Sequence, residues 1–165
     1  EIAILTNSLE ATDVAAVHAG YAKRRRPLLE SGIALYEMKR TFSPPTLSDR
    51  GLAGSSGSSL HAKTFSVDRS RIFIGSFNFD QRSARLNTEL GVVIDSPVLA
   101  QRLGAFFDTE VPMVAYEVGL KQGNDLQWIE YTSSGVTTHE ADPGTSWLLR
   151  RQIDFLSILP IEWLL

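Results

Sequence analysis

Leu60-His61-Ala62-Lys63-Thr64-Phe65-Ser66-Val67-Asp68-Arg69-Ser70-Arg71-Ile72-Phe73-Ile74-Gly75-Ser76-Phe77-Asn78 decides how this chain folds. Leu60 to Val67 reads as a strand, Asp68 to Arg71 as a polar hairpin turn, and Ile72 to Ile74 as an apolar strand that returns beside the first. Alternate side chains of a strand share a face, so His61 and Lys63 project together. If the hairpin closes at Asp68 to Arg71, Ser76 and Asn78 arrive near the end that carries His61 and Lys63.

Outward from this hairpin, strands and helices alternate. Ile2 to Leu5 is a short apolar run entering the polar Thr6-Asn7-Ser8, as a buried strand does. Thr12 is placed to cap a helix, with Asp13 in its first turn. Val14, Val17, His18 and Tyr21 recur at spacings of three and four, one face of that helix. The helix is expected to break or restart near Pro27 and to stop at Gly32. Ile33 to Tyr36 reads as a second strand. Pro44-Pro45 and the run from Gly54 to Ser59 make residues 43–59 a loop within one domain rather than an interdomain linker. Glu89 to Ile94 is a strand, Pro97 to Phe107 a helix with Leu99, Leu103, Phe106 and Phe107 on one face, Leu126 to Tyr131 a strand, and Trp147 to Ile158 a final helix. This alternation argues for a layered α/β domain.

The 165 residues suit one domain, and a hydrophobic fraction of 43% excludes disorder of the whole. A net charge of −3 gives no global field to draw nucleic acid or anionic lipid, which leaves only a local patch for either. There is no cysteine, which removes thiol catalysis, disulfides and cysteine metal sites. No apolar run reaches the roughly 18 residues of a membrane-spanning helix. The chain opens at Glu1 inside an apparent strand, which reads as a piece of a longer protein, with a trimmed tag as the bland alternative.

The residues around the hairpin suit a phosphodiester. Lys63 offers charged donors, Asn78 an amide NH₂ and Ser76 a hydroxyl, all matched to phosphate oxygens. Gly75 lets the backbone approach closely. His61 can be neutral and nucleophilic near pH 7, given a reference pKa of about 6.5. Its attack on phosphorus would divide one hard displacement into two easier ones, with Lys63 and Asn78 stabilising charge on the equatorial oxygens. No metal or other cofactor is called for.

The spacing resembles the HKD signature of the phospholipase D superfamily, H-x-K-x4-D-x6-G-S-x-N. His61, Lys63, Asp68, Gly75, Ser76 and Asn78 fill it without departure. Phe79-Asp80-Gln81-Arg82-Ser83 and Leu86-Asn87-Thr88-Glu89 are similar to the family's continuation. Thr6-Asn7-Ser8-Leu9, Ala11-Thr12-Asp13, Ala19-Gly20-Tyr21, Leu35-Tyr36-Glu37 and Leu159-Pro160-Ile161-Glu162 resemble the C-terminal half of bacterial cardiolipin synthases, the C-type branch above all. The resemblance implies a phospholipase D-like domain over residues 1–165, a central mixed β-sheet flanked by helices on both faces.

It also implies roles. His61 matches the nucleophile or the acid for the leaving group. Lys63 and Asn78 match the phosphate binders, with Ser76 as a helper. Glu89 matches the acid that orients the motif histidine, and Asp68 a structural position. The activity implied is phosphatidyl transfer from a phosphatidylglycerol-like phospholipid through a phosphohistidine, peripherally on the cytoplasmic side of a bacterial inner membrane. Members of the family carry two such motifs in one site. Of the three histidines here, neither His18 nor His139 begins an H-x-K. The second half-site is therefore expected from an N-terminal HKD half or from a second copy of the chain. The alternatives are a one-motif homodimeric endonuclease, against which the net charge counts, and an isolated half-domain inactive without its partner.

Several features have plainer readings. Asp68 reads as a turn residue. The run Lys23-Arg24-Arg25-Arg26 reads as a solvated helix end, with a lipid-headgroup reading beside it. His18 reads as a packed or half-exposed histidine, and Trp128, Trp147 and Trp163 as core, with membrane-interface anchors as the alternative. The apolar stretch from Ile153 to Leu165 is expected to dock on the domain, with an interfacial helix as the alternative.

Overall fold

A computed structural model of the chain describes residues 2–12, 14–40 and 60–158. Five strands form one mixed sheet: β1 (Ala3–Asn7), β2 (Ala34–Met38), β6 (Ala115–Leu120), β7 (Leu126–Thr132) and β8 (Gly135–His139), in the order β1-β2-β6-β7-β8. β1 and β2 are parallel and the remaining pairs antiparallel. Between β1 and β2 the chain crosses over through α1 (Ala15–Ala22) and α2 (Arg25–Glu30), as a parallel pair requires. A second, antiparallel sheet holds β3 (Thr64–Val67), β4 (Arg71–Gly75) and β5 (Gly91–Asp95). α3 (Gln81–Arg85), α4 (Pro97–Thr109), α5 (Val111–Val114) and α6 (Trp147–Ile158) complete the described residues. The fold class is α/β, a mixed sheet flanked by helices, with the motif hairpin in a sheet of its own.

The main core lies on one face of the larger sheet. Leu35, Val118 and Trp128 stand opposite one another across β2, β6 and β7, and with Tyr116 they are buried. Tyr21 of α1 and Leu28 and Leu29 of α2 cover them. α2 ends as expected at Gly32 (φ +81°). The Gly32 N–H donates to Leu29 O and the Ile33 N–H to Leu28 O, the paired bonds that close a helix on a left-handed glycine.

α1 corrects two expectations. Val14 and Val17 are each 54% exposed, whereas Ala19 is buried and Ala15 and Ala22 pack with it against Leu149, Ile153 and Leu156 of α6. The small residues face inward because they let the helices approach closely. The break between α1 and α2 falls at Lys23 and Arg24, just before Pro27. Thr12 does not cap the helix: Val14 is the N-cap and no side-chain bond closes it. The Thr12 hydroxyl instead meets His18 Nδ1 at 3.3 Å.

Arg25 overturns the solvated reading of its run. Its side chain is buried and donates to Glu37 from Nε (2.7 Å) and Nη2 (3.2 Å), and to Asp142 at 2.6 Å. Tyr21 Oη (2.8 Å) and Trp128 Nε1 (2.9 Å) also donate to Glu37, which is fully buried. His18 Nε2 lies 2.9 Å from Arg25 Nη2, so it accepts there. Burial works to lower the Arg25 pKa, but the charges of Glu37 and Asp142 outweigh it and hold it above its ordinary range. Lys23, Arg24 and Arg26 are exposed.

Other boundaries are close to expectation. α6 spans Trp147–Ile158 and β7 begins at Leu126. α4 starts at Pro97, with Ser96 Oγ accepting from Leu99 N at 3.4 Å. Leu99 and Phe106 lie on its outer side, and the inward residue is the buried Ala100. β6 and β8 were not legible as strands. Trp128 is core as expected, but Trp147 is 62% exposed. Residues 43–59, Asp13, Trp163 and the Leu159–Glu162 segment lie outside the described residues.

Candidate active site

The hairpin that carries the motif turns at Asp68 and Arg69, both left-handed (φ +52° and +49°), and Ser70 N donates to Val67 O at 3.1 Å. Two successive left-handed residues match the twist of paired strands. Aspartate accepts that conformation more readily than most residues, so Asp68 sits in the turn.

His61 and Lys63 are not on a continuous strand. β3 begins at Thr64, and the chain before it is held at two points. Gly75 N donates to Lys63 O (3.1 Å), one pair beyond the ladder. Asn7, at the end of β1, takes both backbone groups of Leu60: its Nδ2 donates to Leu60 O (3.0 Å) and its Oδ1 accepts from Leu60 N (2.7 Å). The segment is diverted toward β1 at that point, and this is why the expected strand is shorter. Asn7 thereby ties the motif to the larger sheet.

Gly75 is fixed by packing. It pairs with Gly91 across β4 and β5. A Cβ at Gly75 would stand 2.6 Å from Leu90 O, 2.6 Å from Phe73 Cζ and 2.8 Å from Gly91 Cα. The Phe73 ring covers both glycines, and Phe65 stacks on it with ring centroids 4.8 Å apart.

Past Gly75 the chain stays bound to the start of β5. Ser76 N donates to Leu90 O (2.8 Å), and Leu90 N donates to Ser76 Oγ (3.0 Å). The Ser76 hydroxyl donates to Glu89 Oε2 at 2.5 Å, and Asn87 Nδ2 donates to Glu89 Oε1 at 3.3 Å. The Ser76 bond foremost, then Ser83, Asn87 and the charge of Lys63, hold the Glu89 carboxyl below the usual carboxylate range. Lys63 is half-buried, and its Nζ donates to His61 O at 3.1 Å. His61 and Asn78 are exposed.

The structure thus joins Lys63, Gly75, Ser76 and Glu89 through backbone and side-chain bonds, with His61 two residues away on the solvent side. Among the described residues no hydrogen bond links Glu89 to His61; Glu89 is engaged by Ser76 and Asn87. Asn78 follows Ser76 by two residues, and its carbonyl accepts from Asp80 N at 2.9 Å. Asp80 then caps α3 through Ser83 N (2.7 Å). Asn7 and Asn87 were missed as positioning groups from the sequence. The signals for Asn7 were a polar amide at a strand end and its place in the Thr6-Asn7-Ser8-Leu9 likeness.

A family model described as cardiolipin synthase, PLD-like domain, matches residues 1–111. The chain belongs to this family. The PLD-like match contains every motif residue from His61 to Glu89. Over its whole length the PLD-like chain is 49% identical to cardiolipin synthase C of Escherichia coli strain K12 and covers 35% of that protein. It is 34% identical to an uncharacterised protein of Helicobacter pylori strain J99, with 97% of the chain aligned to 31% of the relative. It thus spans about a third of the length of these curated relatives. No solved structure matches the chain significantly. No helix among the described residues is long and apolar enough to cross a membrane.

Proposed function

We propose that this PLD-like domain supplies one half-site of a phosphatidyltransferase of the cardiolipin synthase type. The observation that supports it is the exposed His61 imidazole, two residues from Lys63, in a chain 49% identical to cardiolipin synthase C throughout. A phosphatidylglycerol-like lipid binds with its phosphodiester against Lys63 and Asn78. A ring nitrogen of one motif histidine attacks phosphorus, a P–N bond forms, and the P–O bond to the leaving alcohol breaks. The leaving oxygen takes a proton from the second histidine of the site. An acceptor alcohol then gives its proton back to that histidine and attacks phosphorus, and the P–N bond breaks. Water in place of the alcohol gives hydrolysis.

Lys63 and Asn78 serve both steps by meeting charge on the non-bridging oxygens. Ser76 and Glu89 hold each other, and the pair fixes the entry to β5 beside Lys63. The second H-x-K comes from an N-terminal half of a longer protein or from another copy of the chain, and the site contacts the membrane surface peripherally.

The test is a phosphoenzyme trap on the parent protein with phospholipid labelled at phosphorus. Acid-labile label on protein, lost in His61→Ala together with lipid turnover, is the expected result. A His61→Ala protein that still transfers phosphatidyl groups refutes the reading. Cleavage of DNA with no reaction on lipid would favour the one-motif nuclease instead.

A further inference from the structure

α6 has two apolar faces, and only one of them is covered. Leu149, Ile153 and Leu156 pack on α1. On the other side Trp147, Leu148, Phe155 and Ile158 are 62%, 72%, 64% and 81% exposed. With 3.6 residues per turn, these four and Arg151 fall within an arc of about 100°. Four large exposed apolar groups on one side of a surface helix, with Arg151 among them, mark an interaction surface. The Arg151 guanidinium lies over the Trp147 ring, 5.6 Å from its centroid.

Beside the stripe, between α6 and the α1–α2 junction, lies a cleft of about 460 Å³. It is lined by Lys23, Arg25, Arg150 and Arg151 against Asp142 and Asp154, with Trp147 on its rim. Arg25 is already matched to Glu37 as well as to Asp142. Arg151 pairs with Asp154 at 3.7 Å and Arg150 Nη1 donates to Thr145 O and Oγ1, and the lining as a whole carries four cations against two carboxylates on a chain whose net charge is −3. A tryptophan and other large apolar groups on one exposed helix face, with Arg151 among them and Arg150 at their side, form the pattern that lies in a bilayer interface.

We infer that the outward face of α6 docks on an anionic phospholipid surface: Trp147, Leu148, Phe155 and Ile158 enter the interface, and Arg150 and Arg151 take headgroup phosphates. This goes beyond the catalytic reading, because it assigns a membrane-facing surface that shares no residue with the motif. The apolar stripe supplies depth and the cations supply selectivity for anionic lipid.

The test is co-sedimentation of the chain with phosphatidylcholine vesicles that contain phosphatidylglycerol, compared with pure phosphatidylcholine vesicles. The wild-type chain is expected to bind the anionic vesicles and to be released by salt. Leu148→Ser/Phe155→Ser should lower the binding constant at least about tenfold, from the apolar area withheld from the interface. Arg151→Gln should lower it about fivefold, one cation at the surface. Val136→Ser, which removes an exposed apolar group on β8, should bind as wild type. His61→Ala should also bind as wild type, so failure of the catalytic reading leaves this result intact. Equal urea midpoints for the variants show that they are folded. As a measurement on a conservative variant, tryptophan emission should shift to the blue when anionic vesicles are added, and the shift should shrink in Trp147→Phe. No binding by the wild type, equal binding to neutral vesicles, or wild-type binding by the double serine variant overturns the inference. So does an undiminished shift in Trp147→Phe.

Discussion

Replacing Glu37 by Gln keeps the volume of the side chain and removes its charge. The carboxylate receives hydrogen bonds from Arg25 Nε and Nη2, Tyr21 Oη and Trp128 Nε1, all within 3.2 Å, and no water reaches it. A glutamine offers one acceptor oxygen and turns an NH₂ toward groups that are themselves donors. Arg25 is left with Asp142 as its one carboxylate partner. Breaking a buried ion pair in this way costs about 3–5 kcal/mol. A domain of this size has about 5–15 kcal/mol in total. At about 2–4 °C per kcal/mol, the melting temperature should fall by about 6–20 °C. Urea unfolding followed by far-ultraviolet circular dichroism gives the free energy directly. The double variant Arg25→Met/Glu37→Leu should lie closer to wild type than Arg25→Met alone, because Glu37 is then no longer left as an unpaired buried charge. A Glu37→Gln chain within about 1 kcal/mol of wild type would refute the reasoning, since it would show that a neutral acceptor serves Arg25 equally well.

Gly75→Ala should destabilise the chain by about 1–3 kcal/mol in the same urea assay, because its methyl group meets the Leu90 carbonyl and the Phe73 ring with nowhere to move. Asn7→Ala should free the Leu60 amide, seen as faster hydrogen exchange there. Under the transferase reading proposed above it should also lower kcat more than it changes KM, since the Asn7 amide is bonded to the Leu60 backbone. Glu89 titrates below the usual carboxylate range in the folded chain. Its tie to Ser76 is therefore fully present above the ordinary carboxylate pKa and is lost as the pH falls through the lowered value. Ser76→Ala should move the Glu89 titration upward in carbon-detected NMR; an unmoved midpoint would show that Ser76 is not the cause.

Much of the site was legible because its chemistry is local. Six residues at fixed spacing lie on one hairpin, and the turn, the return strand and the close approach at Gly75 are set by neighbours within twenty residues. Gly32 stopped its helix and Trp147 began one for equally local reasons. The strands β6 and β8 were not legible, since each is defined by partners across the sheet rather than by its own pattern. The same holds for Arg25. In sequence it is one of four consecutive cations. Only the fold brings Glu37, twelve residues on, and Asp142, 117 residues on, to meet it.

The covalent order of side chains therefore determined the chemistry on offer: an imidazole, an ammonium and an amide carried by one hairpin. Tertiary structure decided where that hairpin is anchored, through Asn7 and Leu60 fifty-three residues apart. It also decided which face of α1 is core and which face of α6 is left to solvent. The reason is physical. A turn or a strand pair closes over a short stretch of chain, whereas burial is a property of everything packed around a residue, and no local window of sequence contains that.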